Sequence, residues 1–235
     1  MPFVNKMITV NRSIADLYEK EYKKKLFVIR NIPPKEINIE KKSRKELRMP
    51  EDKKILIVQG SGINVDRGIE ELVEVMQSKY GIENTVLYIV GGGDVLPLLK
   101  TKVKEYQIEE KVIFIGKLPY VEMMQYTMQA DYGLTLDKDT NINYKFSLPN
   151  KLFDYMRAGI PVIASKLPEI EAIITEYQLG FIVDSHDRQE LATIIKSALS
   201  YKEHDKLKQN ARKAIEDLNW ENEEKVLKKL YEEYV

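Results

Sequence analysis

Four short stretches bring together residue types able to do chemistry. The richest is SLPNKLFDYMRAG, residues 147–159. Pro149 suits the start of a helix, where its missing N–H costs nothing. Free backbone N–H groups near Leu148, Asn150 and Lys151 would then face an anion. Lys151 and Asp154 stand at i and i+3 on one face. That pairs a cation for a phosphate with a carboxylate for ribose hydroxyls, although an ordinary surface ion pair fits the same spacing. The second stretch is VQGSGINVDRG, residues 58–68. Gly60 and Gly62 allow close backbone approach, and Arg67 offers a fixed cation suited to phosphate. The glycine spacing matches neither GxGxxG nor a Walker loop, and a turn with an incidental arginine fits as well. The third, IVGGGD (89–94), ends an apolar run on three glycines and places Asp94 as a helix N-cap. A tight turn and a ligand contact both remain open for Gly92. The fourth, DKD at 137–139, could chelate a divalent cation beside a diphosphate. Its polar surroundings, DKDTNINYKF, instead favour a solvated loop. His186 and His204 have no partner nearby in sequence and are expected at the surface. No nucleophile elbow or zinc spacing is present.

The elements that must position these residues follow from periodicity. Continuous apolar runs of strand length lie at 55–60, 85–92, 112–117, 132–137, 161–165 and 180–184. Continuous rather than alternating apolar character marks strands buried on both faces of a parallel sheet. Helical patterns fill the gaps; in DRGIEELVEVMQSKY, Ile69, Leu72, Val73 and Met76 fall on one face. Such alternation predicts an α/β fold with a doubly wound parallel sheet, whose ligands bind at the carboxyl ends of the strands. Residues 204–218 and 220–234 read as two charged amphipathic helices. Before residue 51 the pattern differs: MITV, a helix to about Tyr22 and LFVIRNIPP read as one strand–helix–strand unit, then a polar linker. That unit cannot bury both its faces alone and is expected to be the remnant of a larger domain. The expected division is therefore 1–50 and 51–235.

Composition narrows the function classes. The chain has 235 residues, equal numbers of basic and acidic side chains, and no Cys. Disulfides and thiolate metal sites are excluded. No apolar run approaches a membrane span, and the N-terminus lacks a signal-peptide pattern. A cytoplasmic protein is expected. Residues 1–54 hold 15 Lys+Arg against eight Asp+Glu, and the remainder carries the opposite excess. This basic portion could favour an anionic membrane surface at the inner face; a solvated helix face plus linker is the plainer reading. Nucleic acid is not an expected partner, because the basic residues are not interleaved with stacking aromatics.

Taken in order, GSGINVDRGIEELVEVM, LYIVGGG, VIFIGKL, SLPNKLFDYMRAGIPVIAS, EIEAIITEYQLGFIVD and a closing Trp-Glu helix resemble the C-terminal, donor-binding domain of retaining GT-B glycosyltransferases. The match is to family four and its subgroup with the SLPNKLFDYM-type block, over residues 51–235. The resemblance implies a Rossmann-like domain facing an acceptor-binding domain, of which residues 1–50 would be a stub. It implies a nucleotide-diphosphate sugar as donor and a glycan or lipid-linked acceptor reached through the missing N-terminal domain. Transfer would proceed with retention, without a metal or other cofactor. By position, Arg67 and Lys151 would stabilise the leaving diphosphate. Asp154 would hold ribose hydroxyls, and Ser147, Leu148 and Pro149 would lay backbone against the phosphates. Gly116, Lys117 and Leu118 would flank the base. Ser61 stands where the family has its first phosphate-binding Arg, and Phe146 where it has the first acid of E-x7-E. Two other readings compete: a sugar-nucleotide epimerase of the same fold, and a non-catalytic nucleotide-sugar-binding module. The chain alone is expected to bind donor without turnover.

Overall fold

The computed structural model describes residues 6–36 and 38–232. Residues 1–5, which belong to the expected N-terminal stub, lie outside the described residues, as do Ile37 and 233–235. Two separate parallel sheets form. The smaller pairs β1 (Met7–Thr9) with β2 (Leu26–Val28) through helix α1 (Arg12–Tyr22). Asn11 starts α1 by accepting the Ile14 N–H, as an N-cap should.

The larger sheet has six strands: β3 (Lys54–Gly60), β4 (Thr85–Gly91), β5 (Val112–Gly116), β6 (Tyr132–Thr135), β7 (Val162–Ser165) and β8 (Gly180–Val183). Their order is β5-β4-β3-β6-β7-β8, all parallel. These are the six expected apolar runs. They are buried on both faces: along β3, Leu56 and Val58 enter one apolar cluster while Ile55 and Ile57 enter the other. The first cluster is closed by α2 (Ile69–Val75), α3 (Leu96–Glu105) and α8 (Arg188–Leu199). The second is closed by α4 (Tyr120–Thr127), α6 (Asn150–Ala158), α7 (Pro168–Tyr177) and α9 (His204–Asp217). The winding order reverses between β3 and β6, while all six strands stay parallel.

Helix α6 follows from its sequence. Leu152, Tyr155 and Met156 recur at helical spacing and are fully buried, with Phe153 beside them. The Tyr155 ring occupies the space that a side chain at position 133 would need, which explains Gly133 in β6. Gly159 ends the helix at φ 69°, in the left-handed region.

The final helix, α10 (Trp220–Glu232), returns to the N-terminal segment. Glu223, buried, bonds the Arg30 guanidinium at 2.9 Å and the Arg30 N–H at 2.7 Å. The Trp220 N–H reaches the Pro33 carbonyl at 3.0 Å. No helix among the described residues is long and apolar enough to cross a membrane.

Three local expectations are corrected. The DKD segment is a solvated loop only in part: residues 139–143 are exposed, with Asp139 pairing with Lys145 at 2.8 Å beside a short helix α5 (Ile142–Lys145), but Asp137 is fully buried. Asn141 starts that helix by accepting two N–H groups, a local capping preference hidden in a polar stretch. Asp94 does not cap α3. It accepts the Val65 N–H at 3.2 Å, while its own N–H donates to Asn64, tying the β3–α2 and β4–α3 loops together. His186 and His204 are half-buried. Nε2 of His186 lies 2.8 Å from the Leu136 carbonyl and 3.1 Å from Ser165 Oγ. Nε2 of His204 lies 3.0 Å from the Asp131 carbonyl, and burial holds its pKa below the usual value.

Candidate functional site

A cavity of about 590 Å³ opens at the carboxyl ends of β3 and β4. Its floor is Gly60, Ser61, Val90 and Gly91. One wall is Lys117, Leu118, Tyr120 and Met123; another is Asn150, Asp154 and Arg157 from α6. Residues Asn31 to Pro34 complete it. The floor exists because β3 and β4 approach each other closely through glycine. Gly91 stands at φ 143°, and a side chain there would collide with the Gly60 carbonyl.

Asp154 is the most perturbed group in this cavity. It is 7% exposed, and burial pushes its carboxyl up to about 7. The hydrogen bond from Gln59 Nε2, at 3.0 Å to Oδ2, acts in the opposite direction by favouring the carboxylate. The Tyr120 hydroxyl donates to Oδ1 at 2.5 Å, and Nη2 of Arg157 lies 3.6 Å from the same oxygen. The Thr127 hydroxyl donates to Gln59 Oε1, so a buried polar chain runs Thr127–Gln59–Asp154–Tyr120. Arg157 also lies over the Tyr120 ring and donates to the Pro34 carbonyl at 3.1 Å.

A second polar cluster lies where β3 and β6 diverge. Arg67 Nη1 bonds Asp137 Oδ1 at 2.6 Å, and the guanidinium lies 4.3 Å from the centroid of the Tyr144 ring. Lys151, in the first turn of α6, is within charge–charge range of both Arg67 and Asp137. Burial and the Arg67 charge lower its pKa, while Asp137 acts to raise it. Lys151 makes no hydrogen bond or ion pair among the described residues. The start of α6 carries no side-chain cap; the Leu152 N–H bonds the Pro149 carbonyl at 3.0 Å, while those of Asn150 and Lys151 have no partner among the described residues.

The expected site residues therefore divide. Gly60, Ser61, Lys117, Leu118, Asn150 and Asp154 line the main cavity. Arg67 pairs with Asp137, and Lys151 lies within charge–charge range of both. Ser147 and Leu148 border a neighbouring hollow against α1, and Pro149 is the residue before α6. Gly62, Gly92 and Gly116 brace the loops without lining the cavity: the Ile63 N–H bonds the Gly92 carbonyl at 2.9 Å, and Gly116 turns at φ 85°. Lys151 and Asp154 do not pair, for Lys151 faces the Arg67 cluster and Asp154 the Gln59–Tyr120 chain. Gln59, Tyr120 and Arg157 are additions, and Asp137, weighed in the sequence only as a cation ligand, instead pairs with Arg67. Gln59 carried a usable signal, being the only polar residue inside the apolar run ILIVQG.

A family model described as "Glycosyl transferases group 1" matches residues 39–214. The amylovoran biosynthesis glycosyltransferase AmsK of Erwinia amylovora is 29% identical over 107 residues, 46% of this chain and 26% of that one. The chitobiosyldiphosphodolichol beta-mannosyltransferase of Debaryomyces hansenii is 24% identical over an alignment covering 93% of this chain and 52% of that one. The chain thus spans from about a quarter to about half the length of these curated relatives. Among solved structures, sucrose-phosphate synthase from Thermosynechococcus elongatus superposes with a TM-score of 0.80 at 22% identity, covering 97% of this chain and 58% of that one. Anabaena HepE in complex with UDP gives 0.78 at 15% identity, covering 98% and 65%. These likenesses establish the shared fold.

Proposed function

The chain belongs to the group 1 glycosyl transferases, and on that premise we propose that it is the donor-binding half of a retaining transferase, residues 51–235, fed by a nucleotide-diphosphate sugar. One observation carries the reading. Two cations on different elements, Arg67 and Lys151, come within charge–charge range at the switch point, beside the uncapped start of α6. Positive potential of this kind stabilises the charge that builds on a departing diphosphate. Lys151 and the α6 N–H groups would meet the phosphates, and Asp154 would accept the ribose hydroxyls in the adjoining cavity. Lys117 and Leu118 would flank the base. No metal is required, since side chains and helix N–H groups carry the charge. The acceptor, a glycan or lipid-linked sugar, would be bound with the help of a further N-terminal domain. Transfer would take place in the cytoplasm, at the inner face of the membrane where the acceptor is lipid-linked.

Calorimetry with a panel of UDP- and GDP-sugars tests this. Binding in the micromolar to millimolar range is expected, weakened at least tenfold by Lys151→Ala and by Asp154→Ala. Absence of binding across the panel would refute it. A transfer assay, with and without an added acceptor domain, separates a transferase half from a binding module; the chain alone is expected to bind without turnover.

A further inference from the structure

We propose that Asp137 is a positioning residue: its buried carboxylate fixes the Arg67 guanidinium against Tyr144 so that Arg67 and Lys151 together hold a diphosphate. The inference rests on the donor-site reading above and adds to it a residue that DKD conceals. Asp137 is 0% exposed, just beyond the end of β6 at the switch point. Both its oxygens are used inward. Oδ1 accepts from Arg67 Nη1 at 2.6 Å, and Oδ2 accepts from the Thr135 hydroxyl at 3.1 Å. Arg67 is held on its other side by the Tyr144 ring at 4.3 Å. The carboxylate therefore has no free face with which to bind a cation from solution.

What remains uncommitted around it is a set of donors. Nε of Arg67 is buried without a partner, and Lys151, within charge–charge range of Asp137 and Arg67, makes no hydrogen bond or ion pair among the described residues. Buried donors left unpaired are costly, so they point to a missing acceptor. Two cations at close range also repel each other in a half-buried setting. One internal carboxylate offsets that repulsion and still leaves the cluster net positive, as an anion site requires.

A purely structural role is a weaker account. The loops that carry Arg67 and Asp137 are already fastened by the next residue. The Lys138 N–H bonds the Asp66 carbonyl at 3.0 Å, and its ammonium bonds Glu71 at 2.7 Å. A buried charge at 137 is not needed for that task.

The test measures binding of UDP and GDP, and of uridine and guanosine, to the full chain and its variants. Asp137→Asn is expected to weaken the diphosphate at least tenfold while leaving the nucleoside within twofold. Asp137→Glu should recover part of the loss, and in an Arg67→Ala background Asp137→Asn should add nothing. Unchanged or tighter diphosphate binding by Asp137→Asn would overturn the proposal, as would an equal loss for diphosphate and nucleoside. Should Asp137→Asn not fold, Tyr144→Leu decides: the same diphosphate-selective loss supports the inference, and wild-type affinity overturns it. If the unaltered chain binds neither diphosphate, the donor-site reading fails and takes this inference with it. If it binds one in an Arg67-dependent but Asp137-independent way, only the inference fails.

Discussion

Asp154 should make the protein less stable in its ionised form, and replacing it by Asn should reveal this as a change of sign with pH. The carboxyl titrates near 7 in the fold against an ordinary 3.8. The folded chain therefore keeps a proton that the unfolded chain gives up between those values. Stability falls as pH rises through this window, and the loss is complete above it. A difference of this size corresponds to roughly 4 kcal/mol at pH 8.5. Asn removes the charge, but its amide cannot accept from both Gln59 and Tyr120; one lost hydrogen bond costs about 1–2 kcal/mol. The net expectation is that Asp154→Asn stabilises by about 2–3 kcal/mol at pH 8.5, raising Tm by roughly 4–12 °C for a chain of this size. At pH 3.5, where the wild-type carboxyl is mostly protonated in both states, the same variant should be slightly destabilised. Thermal unfolding of both proteins at the two pH values measures the effect. A Tm difference that does not vary with pH would refute the burial argument. On the proposed donor-site reading the variant should also bind nucleotide more weakly, because the ribose hydroxyls would lose the carboxylate that accepts them.

Three further outcomes are expected. Lys151→Met should lower nucleotide-diphosphate affinity at least tenfold without lowering Tm, because burial already disfavours the ammonium and no partner is lost; calorimetry and thermal unfolding of one preparation check both halves. Arg44→Met should cost about 2 kcal/mol near neutral pH, since Asp131, largely buried, would keep only Lys54 at 3.4 Å and the Ile55 N–H. Asp131 titrates below its usual value in the fold, so this cost should fade as pH drops below about 4, and urea unfolding at pH 7 and pH 3.5 would show it. Gly68→Ala should cost at least about 2 kcal/mol by urea unfolding, because residue 68 stands at φ 71° and a methyl there would strike the Leu136 carbonyl.

The sheet was legible because burial on both faces writes a strand as an unbroken apolar run, and six such runs became six strands. Helix α6 was legible for a similar reason, with its glycine stop in view. The site was only half legible. Asp154 stood out by type and position, whereas Lys117 and Leu118 were marked only by the family resemblance. The partners that set their chemistry lie far away in sequence: Arg67 and Asp137 are 70 residues apart, and Gln59 and Asp154 are 95 apart. A buried aspartate in DKD looks the same as a wet one until the strand order brings the arginine over it. Tyr120 was missed because an aromatic at a helix start ordinarily reads as core, whereas here it is 42% exposed and bonded to Asp154.

The return of α10 to residues 30–35 has a mechanical consequence. Pro33 and Pro34 form part of the cavity wall, and the same two residues receive the Trp220 N–H from behind and the Arg157 guanidinium from within. The tail of the chain thus acts as a backstop for a rim whose inner side touches the ligand space. Loosening the Arg30–Glu223 latch would let that rim lean outward and widen the mouth of the cavity, so, on the proposed donor-site reading, charge changes remote from the nucleotide would tune how long it stays.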